Sequence, residues 1–303
     1  MLQLPTPHGD KIKALLHNPK LPMKERSRVK LVIARYDDWV SRLRKMAGAS
    51  KPTIAGLVSL LNDYKQYIDV DLIFDSPDDF LYRQKGQLKL DNSVIEEFLP
   101  VFITTMLSGE LRENKLSFGP TNCFSGLRFE SSLNAMKPGG GLVIRSKAQD
   151  FAISRKLYLS ASHDADFQEA VKEATHVAYV VAECKTNLDK TMFQEAAATA
   201  LDVKTAVPSA KYYLLCEWLD MTPISTSTTA IDEIIILRKG KRLPANIREE
   251  FNTWRDRKNN KELYVNYLQS HPFSTATFAR FVKHIQNLFH DDTEDSVLAR
   301  GYF

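Results

Sequence analysis

The segment His176–Ala182, HVAYVVA, constrains this chain more than any other: it is apolar, β-branched and aromatic, and too short to be a helix of its own. Such a run reads as a buried strand. A buried strand needs paired neighbours and cover above and below, so a layered α/β arrangement follows. The 303 residues are enough for a large core, as one big domain or two modest ones.

The flanks supply the layers. Val29, Val32, Ile33, Tyr36, Val40 and Leu43 repeat at helical spacing from Pro22 to about Met46, with basic residues between them. Ile54, Leu57, Val58, Leu61 and Tyr64 predict a second helix from Thr53 to about Tyr67, with Lys51-Pro52 at its start. A third is predicted over 91–111, with Asn92 or Ser93 as cap, Glu96 and Glu97 in the first turn, and Pro100 bending or splitting it. The character changes near Pro120. Leu142–Ser146 and Phe151–Leu159 read as a hairpin, and 167–175 as a short helix before the buried strand. Thr186-Asn187 is capping-like, ahead of a helix from about Leu188 to Thr205. Strands follow at 211–219 and 231–237, the second ending in the basic run Arg238–Arg242, and helices run from Pro244 to about Phe289 before the acidic HDDTED. The expected organisation is a helical N-terminal region (1–110), an α/β core with a mixed central sheet (111–243) and a C-terminal helical region (244–303).

Composition narrows the function. With 44% apolar and 26% charged residues the chain is neither collagen-like nor disordered, and no stretch approaches the ~18 apolar residues of a membrane span. The N-terminus carries no apolar run behind its charges. Three widely spaced cysteines make no disulfide framework and no CxxC pair, which fits a reducing, cytoplasmic setting. Scattered histidines without HxxxH or HExxH argue against a zinc hydrolase, and no GxxxxGK[ST] loop is present. A net charge of +4 permits a polyanionic partner without requiring one.

An acidic residue, any residue, then Lys is a weak pattern. Glu113-Asn-Lys115, Asp63-Tyr-Lys65, Asp202-Val-Lys204 and Asp256-Arg-Lys258 all match, most of them on helices where a solvated charged face is the ordinary explanation. Glu183-Cys184-Lys185 differs because it ends the apolar strand. The two-residue period of a strand puts Glu183 and Lys185 on one face and Cys184 on the other. A carboxylate and an ammonium side by side suit metal-dependent phosphodiester hydrolysis, provided a neighbouring strand brings a second carboxylate. Asp150, opening the 151–159 strand, is the first choice; Asp166 is the alternative, and Asp164 also lies in that apparent loop.

Asp150 on one strand, Glu183-Cys184-Lys185 on the next, then a helix and a further strand resembles the PD-(D/E)xK nuclease core of many type II restriction endonucleases, over roughly residues 110–240. Gln149 stands where the motif's name has Pro. The segments GPTNCFSGLRF (119–129), QDFAISRKLYL (149–159), AECKTNLDKTMFQEA (182–196) and AIDEIIILRKGKR (230–242) are similar to the BbvCI type, two-subunit enzymes that cut short asymmetric sites. The resemblance implies a sequence-specific DNA endonuclease acting on double-stranded DNA, with a related second subunit or a second copy as partner. It implies Asp150, Glu183 and Lys185 as catalytic residues, and Mg2+, replaceable by Mn2+, held by Asp150, Glu183 and the Cys184 backbone carbonyl. Gln194 and Glu195 would support that shell, or be an exposed helical pair. Ser154 and Arg155, and Arg238, Lys239, Lys241 and Arg242, would contact phosphates, or be solvated; so would the basic helix face of Lys24, Arg26, Arg28, Lys30 and Arg35. Two other outcomes stay open: a catalytically silent DNA-binding subunit of this fold, and a repair or transposition nuclease.

Overall fold

The protein is described by a computed structural model covering residues 4–47, 53–289, 298, 299 and 301. The expected helix-start signal Lys51-Pro52 and the acidic HDDTED lie outside the described residues. Helices come first: α1 (Pro7–Leu16), α2 (Met23–Ala47), α3 (Ile54–Tyr67), a π-helical turn (Ile68–Phe74), α4 (Phe80–Leu88), α5 (Ser93–Met106) and α6 (Ser108–Glu113). The sheet follows as β1 (Ser117–Phe129), β2 (Leu142–Ala161), β3 (Val171–Leu188), α7 (Lys190–Ala206), β4 (Lys211–Leu219) and β5 (Glu233–Lys241). The chain continues through α8 (Ala245–Glu249), α9 (Trp254–Asn259), α10 (Lys261–Ser270) and α11 (Thr275–Asn287).

The strands lie in the order β1-β2-β3-β4-β5, antiparallel across β1–β2 and β2–β3 and parallel across β3–β4 and β4–β5, so the sheet is mixed. Helix α7 makes the parallel crossover from β3 to β4. Strand alternation divides the core. Phe151, Ile153, Val180, Ala182, Cys184, Tyr213 and Leu215 pack in one cluster with residues of α3, α5 and α11, while Ala152, Val181, Tyr212, Leu214 and Cys216 pack with Phe193, Ala196, Ala200 and Val203 of α7. With helices on both faces, β4 is buried almost throughout, its apolar run Tyr212–Cys216 and the charged Glu217 alike. Among the described residues no helix is long and apolar enough to cross a membrane.

Several local expectations give way. The hairpin expected within 142–159 is one 20-residue strand, β2, whose two halves have different partners: Leu142–Ser154 pair with β1 and Phe151–Ala161 with β3. The polar residues between the two apolar runs are paired rather than turned. Register shifts near Gly119, Phe124 and Ile153 accompany a strong coil. The coil brings β2's ends together: a Cβ on Gly139, which sits at φ +55°, would lie 2.6 Å from the Ala161 carbonyl oxygen, and Gly140 N–H donates to His163 Nε2 at 3.1 Å. The helix expected at 167–175 is instead a turn leading into β3, where pairing with β2 overrides local helix propensity.

Helix α5 runs unbroken through Pro100 and stops at Leu107, because helix–helix burial on several sides outweighs one missing hydrogen bond. The cap of α7 is Asp189, whose carboxylate accepts from Met192 N–H at 2.8 Å, so Thr186 and Asn187 remain in β3. Strand β5 extends through most of the basic run that was expected to follow it.

Candidate active site

Because Val181 faces α7 and Ala182 and Cys184 face the other cluster, the period of β3 turns Glu183 and Lys185 toward the α7 side. Lys185 Nζ lies 2.7 Å from Glu183 Oε1, and both side chains remain partly exposed, at 24% and 18%. Glu183 Oε2 accepts from the Tyr212 hydroxyl at 2.6 Å, so the carboxylate is held from two sides. On the antiparallel neighbour, Phe151 pairs with Ala182, which sets Asp150 beside the turn of chain carrying Cys184. Asp150 Oδ2 accepts from the Cys184 N–H at 2.8 Å. The three residues expected to carry the chemistry are thus brought together, while Asp164 and Asp166 sit exposed in the β2–β3 connection.

A fourth and a fifth residue come from α5. Asn92, at the helix start, makes no side-chain cap; its amide donates to Glu96 Oε1 at 2.9 Å and to the Cys184 carbonyl oxygen at 3.2 Å. Glu96 is also bound by Lys11 at 3.1 Å. Burial raises the Asp150 pKa, the negative charge of Glu96 raises it further, and Glu183 adds to both, against the Cys184 N–H bond and Lys89. Burial acts to lower the Lys185 pKa, but its bond to Glu183 and the charges of Glu183, Asp150 and Glu195 outweigh this and hold it above the ordinary ammonium value. Lys185 thus presents an ammonium, a cation and hydrogen-bond donor, toward Glu183. Burial and Glu183 likewise push the Tyr212 phenol up, so it remains a donor.

The donor set is entirely oxygen: one free oxygen on Asp150, the Glu183 carboxylate and the Cys184 carbonyl. That set suits a hard divalent cation. Cys184 Sγ is on the other face, buried, with its pKa well above the ordinary thiol value, so it offers no thiolate to a softer metal. Among the described residues no group of three or more His, Cys, Asp or Glu side chains is placed to hold a metal ion, so the protein's share of such a shell is two carboxylates and a backbone carbonyl. Two carboxylates and a carbonyl, with water completing the shell, is how magnesium is ordinarily held.

The remaining expected residues separate. Gln194 and Glu195 are exposed on α7, and Glu195 contributes to the field at Lys185. Ser154 is fully buried, bonded to His176 Nδ1 at 3.2 Å, which removes it from any phosphate-contacting role; Arg155 is exposed. Arg238 is also corrected: it is 5% exposed and bound to Glu217 at 3.1 Å, because the continuation of β5 turns it inward. Arg242 pairs with Asp220 at 2.7 Å, whereas Lys239 and Lys241 are exposed. On the basic face of α2, Arg28 is spent on Glu25 and the Asp71 and Leu72 carbonyls, and Lys24 lies 3.7 Å from Asp78; Arg26, Lys30 and Arg35 are exposed.

Sequence reasoning missed Asn92, Glu96 and Tyr212. Glu96 carried one signal, a carboxylate at the start of an otherwise apolar helix, but that signal was absorbed by its favourable place in the helix dipole. Tyr212 was indistinguishable from strand core.

Residues 87–303 match the family model described as Bpu10I restriction endonuclease. Among solved structures, a chain of the native BbvCI A2B2 tetramer aligns with TM-score 0.53 and 19% identity, covering 86% of this chain and 95% of that one. At that identity the likeness shows a shared fold. A search of curated protein sequences found no match.

Proposed function

The chain belongs to the Bpu10I restriction endonuclease family, and from that premise we propose that it is a catalytic subunit of a type II restriction enzyme, hydrolysing phosphodiester bonds in double-stranded DNA with Mg2+ or Mn2+. The observation that carries the reading is the convergence of Asp150, Glu183 and Lys185 at the end of a buried strand, with Glu183 pinned between Lys185 and Tyr212. The bound cation would supply Lewis-acid polarisation of the phosphate and a water of lowered pKa.

The chain's own residues do the rest. Asp150 and Glu183 present oxygens from adjacent strands, so their spacing is set by sheet hydrogen bonds rather than by loops. The Cys184 carbonyl is aimed by the Asn92 amide. Lys185, held charged, donates to an oxygen at the scissile phosphate and offsets negative charge as it develops there.

One such site addresses one strand. The described BbvCI assembly is a tetramer of two kinds of chain, and by analogy a related subunit, or a second copy, would supply the site for the opposite strand. The test is a supercoiled plasmid library incubated with purified chain, alone and with its partner, in Mg2+, Ca2+ or EDTA, with the ends sequenced. Expected are breaks at one short motif in Mg2+, binding without breaks in Ca2+, and none in EDTA. Cleavage undiminished in EDTA overturns the metal reading, and DNA binding in Mg2+ without any break, partner present, assigns the chain a silent role.

A further inference from the structure

A cavity of about 90 Å³ opens at the end of β3, bounded by residues of the α3 side of the sheet: Thr186 and Asn187, the two residues after Lys185, form part of its wall. Lys65, Asp69 and Glu217 form its inner wall, and with Arg238 they make a buried ionic quartet that closes on itself. Lys65 Nζ lies 2.7 Å from Asp69 and 2.9 Å from Glu217, and Arg238 lies 3.1 Å from Glu217 and 3.6 Å from Asp69. The outer wall is not closed. Lys85 Nζ sits 4.5 Å over the Tyr82 ring and, among the described residues, has no carboxylate partner. Among the described residues Arg248 commits only Nε, to the Leu243 carbonyl at 3.0 Å, leaving both terminal nitrogens. The side chains of Thr186 and Asn187 make no hydrogen bond among the described residues. One carboxylate, Asp91, opposes these donors, and one of its oxygens already accepts the Asn92 N–H at 2.9 Å.

Two uncommitted cations against one carboxylate leave a single positive charge. That balance matches a phosphodiester monoanion better than a phosphate dianion. Size agrees: a water needs roughly 10–15 Å³ and a small-molecule pocket ordinarily exceeds about 300 Å³, so this space takes a tetrahedral group and not a nucleoside. Position agrees as well. Asn187 lies roughly 7 Å along β3 from Lys185, the scale on which phosphates follow one another along a DNA strand.

We propose that this cavity holds a backbone phosphodiester of the strand being cut, close to the scissile one, with Lys85, Arg248 and Asn187 as its donors. The proposal rests on the nuclease reading. Burial, reinforced by Arg242 and Lys65, lowers the Lys85 pKa against the pull of Asp91 and Asp69, so a bound anion relieves an unfavourable charge.

The test compares wild type with Lys85→Met/Arg248→Gln and with Lys85→Arg, all checked for folding by circular dichroism. Duplex binding in Ca2+ is measured across salt concentration, and the Trp218 indole resonance, from the cavity wall, is followed by NMR during titration with dimethyl phosphate or inorganic phosphate. Expected are a salt slope shallower by roughly 1 in the double variant, a wild-type slope in Lys85→Arg, and an indole shift with dimethyl phosphate that the double variant lacks. An unchanged slope in the double variant overturns the proposal, and an indole shift with inorganic phosphate alone assigns the cavity to a free phosphate instead. Neither readout needs turnover. Cleavage by wild type with an unchanged slope therefore sinks the cavity alone, whereas failure of wild type to bind DNA sinks the nuclease reading and this proposal with it.

Discussion

Two ionic clusters stand on adjacent strands of one sheet, and their difference separates a site from a scaffold. The quartet of Lys65, Asp69, Glu217 and Arg238 on the α3 side of β4 is almost wholly buried and balanced, with two cations bound to two carboxylates. The cluster on β2 and β3 is partly exposed and leaves one carboxylate without an ion pair: Glu183 is paired with Lys185 and Glu96 with Lys11, while Asp150 is bound by the Cys184 N–H and has, among the described residues, no cation within ion-pair distance. Charges whose partners are all within the fold hold the fold together. Charges left in excess at the surface call for something from outside, and a hard cation is what an excess of carboxylate oxygen calls for.

Four measurements press on that contrast, from the largest expected effect to the smallest. Glu183→Ala or Lys185→Ala should lower cleavage by on the order of 10³-fold or more, since each removes several kcal/mol of charge stabilisation, while thermal melting stays near wild type. Lys115→Ala, on an equivalent Glu-x-Lys pattern, should leave cleavage intact; a loss there with Lys185→Ala still active would move the site. The opposite signature belongs to the quartet. Glu217→Ala leaves Lys65 and Arg238 sharing Asp69 and should destabilise by about 3–5 kcal/mol, read by denaturant unfolding, with the intrinsic cleavage of the folded fraction retained. If Glu217→Ala melts like wild type, the quartet does not hold the scaffold.

Tyr212→Phe lies between the two, because it touches only the orientation of Glu183. Loss of that donor should weaken Mg2+ binding about 10–100-fold, visible as a raised metal requirement with recovery at high Mg2+; an unchanged requirement would show that Lys185 alone orients Glu183.

The smallest effect concerns Asp150. Its pKa is raised in the folded protein. Between the ordinary carboxylate value and that raised value the folded state keeps a proton that the unfolded state has released. Stability contributed by this group is therefore present at low pH and lost as pH rises through that window. Asp150→Asn should in consequence melt slightly higher than wild type at neutral pH in metal-free buffer, and should gain less from added Mg2+. A variant that melts lower throughout would mean that Asp150 serves packing.

What was legible in the sequence tracks what a local pattern can encode. The apolar run 176–182, the strand 211–219 and the helices at 23–47 and 54–67 each carry their own periodicity, and the pairing of Asp150's strand with Glu183's followed from their order. The coil of β2 did not, because polar residues at 147–150 read as a turn unless one knows that each edge of the strand is occupied. Glu96 and Asn92 were read in their helical roles, as a first-turn acid and a cap, because the bond of Asn92 to Cys184, and with it the approach of Glu96 to Asp150, spans the 110/111 division and is set only when the helices dock on the sheet. Arg238 was misplaced for the same reason: its burial depends on Glu217 and Asp69, both distant in sequence.

The double occupancy of β2 has a consequence in time. Ala152 and Ile153 are paired at once to β1, through Gly119 and Phe118, and to β3, through Val181 and Val180, whereas the strand's two ends are each paired on one side. Ends held on one side open in local fluctuations, while a stretch held on both sides must await a much larger opening. In hydrogen exchange the amides of 151–153 should be among the last to exchange, near the global limit, and those of 142–146 and 157–161 well before. Asp150 is joined directly to that slow stretch, so the carboxylate keeps its place through motions that loosen the rest of its strand.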